Sequence, residues 1–254
     1  MPEVDVTEDA IFGGRVRIRQ PARGYRVNVD TLLLAAAHPQ EHIRCDDRRV
    51  VEIGCGVGAA LVAVATRYER TGPIEFVGIE RDAKLAHLAR ENVALNGQSH
   101  RVNIVEGDAL DPAAEFGVFD YVFFNPPYDA EGEGRAPSEA KRGAYIADRP
   151  IGDWIKVWSN RMRAHSEMTL IHRAHRLGEI LGALEGRLGG VAVFPIRPCH
   201  DKPARRVIVR ARKGSKGPLQ IHKGLDLHPD DRSKDKYTPE AEAILRGEAY
   251  LGLW

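Results

Sequence analysis

The apolar run Tyr121-Val122-Phe123-Phe124 ends abruptly in Asn125-Pro126-Pro127-Tyr128, and that junction fixes one point of the fold. An unbroken apolar run reads as a strand buried on both faces, the kind found in parallel sheets covered by helices. Two prolines remove two ladder donors and push the residues before them toward extended geometry, so the strand must stop at Phe124. The next residues form a rigid turn at the carboxyl end of a sheet strand, where open α/β folds place ligands. The groups on this turn suit one task. The Asn125 side chain and the Pro126 carbonyl can both accept hydrogen bonds from a planar amino group. The Tyr128 ring can stack on the flat group that carries it.

Strand and helix patterns alternate around this junction. Residues 49–53, 74–80, 102–106, 119–124 and 168–171 read as strands. Two last strands, 191–196 and 206–210, are separated by a linker too short for a helix and are expected to be antiparallel. Helices are expected from Ala59 to about residue 70, from an Asp82 cap to the stop pair Asn96-Gly97, around Trp154, Ile155 and Trp158, and over 177–188. Trp154 and Trp158, four apart, read as a core-facing pair. The alternation argues an α/β fold: a seven-stranded, mostly parallel sheet with an antiparallel last strand and helices on both faces. Residues 10–20 add an N-terminal β-hairpin turning at Gly13-Gly14, with Val16 and Ile18 on one face and arginines on the other. Asp30 stands where the cap of a helix through Leu32-Leu33-Leu34 is expected. The long stretch 129–150, rich in Gly, Glu, Arg and Pro, is expected to be a mobile lid or substrate loop. Residues 241–254 read as a short helix with an apolar end, packing on the domain or on a second subunit.

The net charge of +1 conceals two basic zones. Residues 11–29 carry five arginines and no acid; residues 197–236 carry 12 Lys and Arg against five acids. Such zones suit a polyanionic partner. Arg15, Arg17 and Arg19 in the first, and Lys202, Arg205, Arg206, Arg212 and Lys213 in the second, are the candidate contacts to the phosphates of such a partner. The three cysteines are an odd, widely spaced set without metal-ligand spacing. No apolar stretch approaches the ~18 residues that span a bilayer. Glu3, Asp5, Glu8 and Asp9 are the opposite of a signal peptide. A cytoplasmic protein with no metal and no membrane partner is expected. His172 and His175, with no third ligand nearby, read as surface polar residues, and Cys55 as a small filler.

Glu52-Ile53-Gly54-Cys55-Gly56-Val57-Gly58 follows the first long strand. Its glycines let the backbone turn sharply and approach a ligand. The spacing is G-x-G-x-G, and an acid stands before the first glycine, a poor neighbour for a pyrophosphate and a good one for a cation. Glu80, 28 residues after Glu52, ends the second strand and can accept two ribose hydroxyls. Asp108 and Ala109, after the third, offer an acceptor and a backbone donor to an adenine edge. Glu52, Glu80, Asp108 and Asn125 thus stand at four successive strand ends.

This set resembles the Rossmann-like class I S-adenosyl-L-methionine-dependent methyltransferases, and the Asn-Pro-Pro-Tyr variant resembles their nitrogen-methylating branch. The segment from Gln20 to Leu34, Lys202-Pro203-Ala204-Arg205-Arg206-Val207 and Tyr237-Thr238-Pro239-Glu240-Ala241 narrow the likeness further. Together they are similar to the bacterial family that methylates N6 of adenine 37 in a valine tRNA, although Arg26-Val27-Asn28-Val29 departs from that family's usual segment. The resemblance implies one methyltransferase domain over 1–254: hairpin and helix at 1–45, core at 46–212, basic extension at 213–254. It implies cofactor contacts from Asn28, Asp30, Glu52, Gly54, Gly56, Gly58, Glu80, Arg81, Asp108, Ala109 and Asn125. Asn125, Pro126, Pro127 and Tyr128 would hold the target amine and base, and tRNA would be the partner. A ribosomal RNA adenine or guanine N-methyltransferase, a protein glutamine N5-methyltransferase and a non-catalytic cofactor- and RNA-binding protein are the alternatives. Homodimerisation stays open.

Overall fold

A strand apolar on both faces needs cover on both, and the fold supplies it. The computed structural model describes residues 5–23, 26–38, 48–68, 73–127, 129–130, 146–147, 149–231 and 235–252. The chain opens with the hairpin β1 (Val6–Ile11) and β2 (Val16–Pro21), then α1 (Val29–Ala36). Next come β3 (Arg48–Ile53), α2 (Ala59–Arg67), β4 (Ile74–Glu80), α3 (Ala83–Leu95), β5 (Val102–Glu106) and β6 (Phe119–Phe124). The two-residue strands β7 (Asp129–Ala130) and β8 (Ile146–Ala147) precede α4 (Ile151–Asn160) and β9 (Met162–Arg173). A 3-10 turn leads into α5 (Leu177–Leu184), then β10 (Leu188–Arg197) and β11 (Arg206–Lys213). The short β12 (Gln220–Ile221) and β13 (Leu225–Asp226) and the helix α6 (Pro239–Leu245) complete the order.

Seven long strands lie in the order β5-β4-β3-β6-β9-β11-β10, and β12 and β13 both pair with the edge strand β10. β5, β4, β3, β6 and β9 are mutually parallel; β11 lies antiparallel between β9 and β10. The expected mostly parallel sheet with its antiparallel last long strand is therefore present. The chain builds outward from β3 through β4 to β5, then returns to β6 and builds the other way. Strand order reverses between β3 and β6, which are paired neighbours, so the loops after them diverge and leave a crevice.

Helices α1, α2 and α3 cover one face, burying Leu33, Leu34, Leu61 and Ala89 against Val50, Phe76, Tyr121 and Phe123. Helices α4 and α5 cover the other, burying Ile155, Trp158, Ile180 and Leu184 against Val51, Ile53, Val122 and Phe124. The hairpin lies along α3. Asn92 Oδ1 accepts from Arg19 N (2.7 Å), and its Nδ2 donates to Arg19 O (2.8 Å) and Val57 O (2.9 Å). Asn96 repeats the arrangement one turn on, with Arg17 N and O at 2.9 and 2.7 Å. Each side-chain amide supplies the hydrogen-bond pair that a neighbouring strand would otherwise give.

Several local expectations are corrected. The hairpin loop has four residues, since Ile11 pairs with Val16. Phe12, Gly13 and Gly14 all take positive φ (58°, 66° and 83°). Phe12 tolerates this because its ring is buried under the guanidinium of Arg67, 4.6 Å from the ring centre. Asn28, not Asp30, caps α1, accepting from Asp30 N (2.9 Å) and Thr31 N (3.3 Å). β9 starts at Met162 rather than 168, its first half hidden in sequence by polar residues and a kink at His165 (φ 65°). α5 stops at Leu184 because Gly186 (φ 71°) turns the chain into β10. The C-terminal segment packs on the domain: α6 buries Ala241, Ile244 and Leu245, and Leu251 N donates to Ala36 O (3.1 Å). The 129–150 stretch is described only at its ends, where β7 and β8 pair in parallel; the rest of that expected loop lies outside the described residues.

Candidate active site

The glycine loop leaves β3 at the point where strand order reverses. Gly54, Gly56 and Gly58 all take positive φ (68°, 56° and 77°), which only glycine adopts without strain. Gly54 N and Cys55 N both donate to Ile79 O, at 2.9 and 3.0 Å, tying the loop to β4. A Cβ at Gly78 would lie 2.8 Å from Cys55 Sγ, so Cys55 fills the space that glycine leaves beneath the loop. Burial pushes the Cys55 thiol far up, which removes it as a nucleophile.

Two carboxylates back the loop. Glu52 Oε2 accepts from Leu61 N (2.8 Å). Glu80 Oε2 accepts from Gly56 N (2.8 Å) and its Oε1 from Asp82 N (2.9 Å). Glu52 is 4% exposed and Glu80 8%. Burial pushes both carboxyls above the usual range, against the pull of these amides. Among the described residues neither forms an ion pair with Lys or Arg. Buried acceptors without a protein cation fit a ligand that carries positive charge and hydroxyl donors. Asp108, at the end of β5, is exposed, with Oδ1 accepting from Leu110 N (2.8 Å); Ala109 beside it is buried. Arg81 is exposed at the mouth.

Asn125 and Pro127 are half-buried and Pro126 is buried, one strand over from the glycine loop. Tyr128 lies outside the described residues. Asn28 Oδ1 and the Asp30 carboxylate are engaged within the protein. Asn28 caps α1, and Asp30, 2% exposed, forms an ion pair with Arg206 at the start of β11.

That ion pair changes the reading of the basic zones. Arg206 holds Asp30, and Arg17 and Arg19 both pair with Glu8 (2.5 and 3.2 Å). Arg15 donates to Arg246 O (2.8 Å) at the hairpin tip. β11 runs antiparallel, so Arg206 lies at the site end of the sheet and Arg212 and Lys213 at the other, roughly 23 Å away at ~3.3 Å per residue. Lys213 is further tied up by Ser159 O and Met162 O, both at 2.8 Å. Of the sequence-selected cations, Lys202 and Arg205 are exposed in the β10–β11 loop at the site end.

Two residues near the site take positions that sequence patterns do not show. Asn92 joins the hairpin to Val57 of the glycine loop, and an apolar-period helix gives no warning of it. Helical spacing puts Trp154 in the core with Trp158, but only Trp158 is fully buried. Trp154 stacks on Phe124 with ring centres 5.9 Å apart, and its ring lies 3.6 Å from where a Gly54 Cβ would be. Among the described residues no three His, Cys, Asp or Glu gather as a metal site, and no helix is long and apolar enough to cross a membrane. His172 is buried rather than on the surface, and burial lowers its pKa to about 4.

Known proteins share this architecture. The methyltransferase small domain family matches residues 25–178. The tRNA1(Val) (adenine(37)-N6)-methyltransferase of Actinobacillus succinogenes is 26% identical over 93% of this chain and 95% of its own. The enzyme of that name from Aeromonas salmonicida is 35% identical over 81% of this chain and 86% of its own. Among solved structures, a predicted O-methyltransferase from Agrobacterium tumefaciens is similar, with a TM-score of 0.69 at 27% identity over 87% of this chain and 98% of that one. The Thermus thermophilus 16S rRNA N2 G1207 methyltransferase shares the fold, with a TM-score of 0.58 at 20% identity, 84% of this chain and 51% of that one. With its glycine loop, strand-end carboxylates and reversed strand order, the chain belongs to the methyltransferase small domain family, among the relatives of the bacterial tRNA1(Val) (adenine(37)-N6)-methyltransferases.

Proposed function

We propose that this protein transfers a methyl group from S-adenosyl-L-methionine to N6 of an adenine in RNA, the acceptor being adenine 37 of a tRNA anticodon loop. The carrying observation is adjacency. A glycine loop backed by two buried carboxylates, and a turn offering two oxygen acceptors, leave the sheet from paired strands. The names of the two bacterial relatives supply the substrate class. The cofactor, when bound, supplies an electrophilic methyl on a positively charged sulfonium. Glu52 and Glu80 would give that charge and the ribose hydroxyls acceptors, and Asp108 with Ala109 would offer an acceptor and a donor to the adenine edge. Gly54, Gly56 and Gly58 let the backbone come close, and Asn28 and Asp30 shape the wall of the site.

The acceptor side is governed by the chemistry of an exocyclic amine. Its lone pair is delocalised into the ring, which makes it a poor nucleophile. Asn125 Oδ1 and the Pro126 carbonyl accept its two hydrogens, favour a pyramidal nitrogen and aim the lone pair. As it takes the methyl the nitrogen becomes cationic, and it then sheds one of its two hydrogens as a proton to solvent, so this is positioning with electrostatics and needs no strong base. A hydroxyl acceptor carries one hydrogen and would leave one of these oxygens idle, which favours nitrogen over the oxygen named for the Agrobacterium protein. Extruding the base costs a few kcal/mol, and stacking on Tyr128 would return ~1–3 kcal/mol. Lys202 and Arg205 are placed to hold backbone phosphates. A tRNA substrate puts the protein in the cytoplasm. Hairpin, sheet and C-terminal helix share one apolar cluster, which supports a single domain over 1–254.

The test is transfer of labelled methyl to tRNA, ribosomal RNA and protein taken from cells lacking this protein, followed by nucleoside analysis. N6-methyladenosine in the tRNA fraction is expected. Label in ribosomal RNA alone would move the substrate, and label in protein alone would overturn the RNA reading. Asn125→Ala should lose about 100-fold or more of the transfer rate while still binding cofactor.

A further inference from the structure

One helix meets the carboxyl end of β6 and the loops after β3 and β5. α4 begins at Ile151, close behind β8, and presents Trp154 and Trp158 one turn apart. Trp158 is fully buried, and its Nε1 donates to Ala109 O (3.1 Å), the loop after β5. Trp154, half-buried, stacks on Phe124 at 5.9 Å with ring planes 16° apart, directly before Asn125. The same ring reaches the glycine loop, 3.6 Å from a Cβ placed at Gly54. Phe124 and Ile53 are register partners on adjacent parallel strands, so the ring sits under the point where both strands end.

We propose that Trp154 is a positioning residue for methyl transfer. It sets the spacing between the loop that holds the methyl donor and the Asn125–Pro126 turn that holds the amine. The inference rests on the function proposed above. A flat indole wedged against both strand ends resists changes in their separation that a smaller side chain would allow. Transfer depends steeply on that separation, since a displacement of about 1 Å of reacting groups can cost on the order of 100-fold in rate. Trp158 acts on a different loop. Its bond to Ala109 steadies the adenine end of the cofactor site, so its loss should weaken cofactor binding.

Trp154→Ala, Trp154→Phe and Trp158→Phe, compared with wild type on the same tRNA, separate these roles. For Trp154→Ala, kcat should fall about 10- to 100-fold, with cofactor Kd and tRNA KM within about threefold of wild type. Trp154→Phe keeps a flat ring against Phe124 but lacks the outer indole edge that reaches Gly54, so it should recover only part of the rate, more than Trp154→Leu does. Trp158→Phe should raise the cofactor Kd with a smaller change in kcat. The proposal is overturned if Trp154→Ala keeps wild-type kcat, or if its loss is all in Kd or KM and Phe does not restore it. Should Trp154→Ala fail to fold, Trp154→Phe and Trp154→Leu carry the test, and equal kcat in these two overturns it. A wild-type protein that labels no RNA would defeat the function proposed above and this inference with it; an active wild type beside an unimpaired Trp154→Ala defeats the inference alone.

Discussion

Arg206→Ala distinguishes a structural guanidinium from an RNA-binding one. Charge alone places Arg206 among the phosphate contacts, but its partner in the fold is Asp30. The Asp30 side chain is 2% exposed and that of Arg206 28%. Removing one partner of a buried pair leaves an uncompensated charge and costs about 3–5 kcal/mol. Water reaches the exposed quarter of Arg206 and screens the pair, which brings the cost to the bottom of that range or just below it, roughly 2–3 kcal/mol. For a chain of this size each kcal/mol moves Tm by about 2–4 °C. Thermal unfolding of Arg206→Ala should therefore begin about 5–10 °C below wild type. The double variant Arg206→Ala/Asp30→Asn should regain most of that difference, because it removes the stranded charge. Calorimetry on wild type, both single variants and the double variant measures the coupling directly. The reasoning fails if Arg206→Ala melts within about 1 °C of wild type while KM for tRNA rises several-fold.

Three further outcomes rest on the same geometry. Asn92→Ala removes three hydrogen bonds from a buried position and should cost roughly 2–4 kcal/mol in urea unfolding; a cost below about 1 kcal/mol would mean that the hairpin docks through its apolar face alone. Burial holds Glu52 and Glu80 above their unfolded pKa values, so the folded protein binds their protons more tightly. Stability of the ligand-free protein should then fall as pH rises from the ordinary carboxylate range through the raised values, and Glu52→Gln should flatten that fall in melts from pH 4.5 to 8. Replacing Lys202 and Arg205 with alanine should flatten the dependence of log KM for RNA on log salt by about 0.7 for each phosphate that is no longer neutralised, whereas Arg212→Ala, at the far end of β11, should leave that slope unchanged.

The strands whose chemistry matters are the easiest to read. Ile74–Glu80, Val102–Glu106 and Phe119–Phe124 coincide with their sequence expectation because each is an apolar run closed by an abrupt polar, glycine or proline break. Glu52, Glu80, Asp108 and Asn125 are legible for the same reason, as strand ends are local. Features that depend on distant partners are not. Asp30 and Asn28 are both good caps, and only the approach of Arg206, 176 residues later, decides which one caps. The basic zone 197–236 reads as one patch, yet an antiparallel strand carries Arg212 and Lys213 to the opposite end of the sheet from Arg206. Trp154 and Trp158 share a helical face by spacing, but spacing cannot say that the sheet ends beneath Trp154.

Arg67 has a bearing on how the protein is made. Its guanidinium is sandwiched between the rings of Phe12 and Tyr250, 4.6 and 4.1 Å from their centres, and donates to Ala249 O. Arg15 joins Arg246 across 231 residues of chain. On the ribosome these partners emerge some 231 residues after the hairpin tip. At about 5–20 residues per second, the tip of the hairpin waits on the order of ten seconds or more with one side of Phe12 uncovered. The sheet and its helices can assemble in that interval and the hairpin can dock on α3, so the covering of its tip becomes the late step of folding. A nascent chain stalled before residue 246 would lack Tyr250 over Arg67 and the Arg246 carbonyl for Arg15, and so would leave the seam at Phe12 open to water.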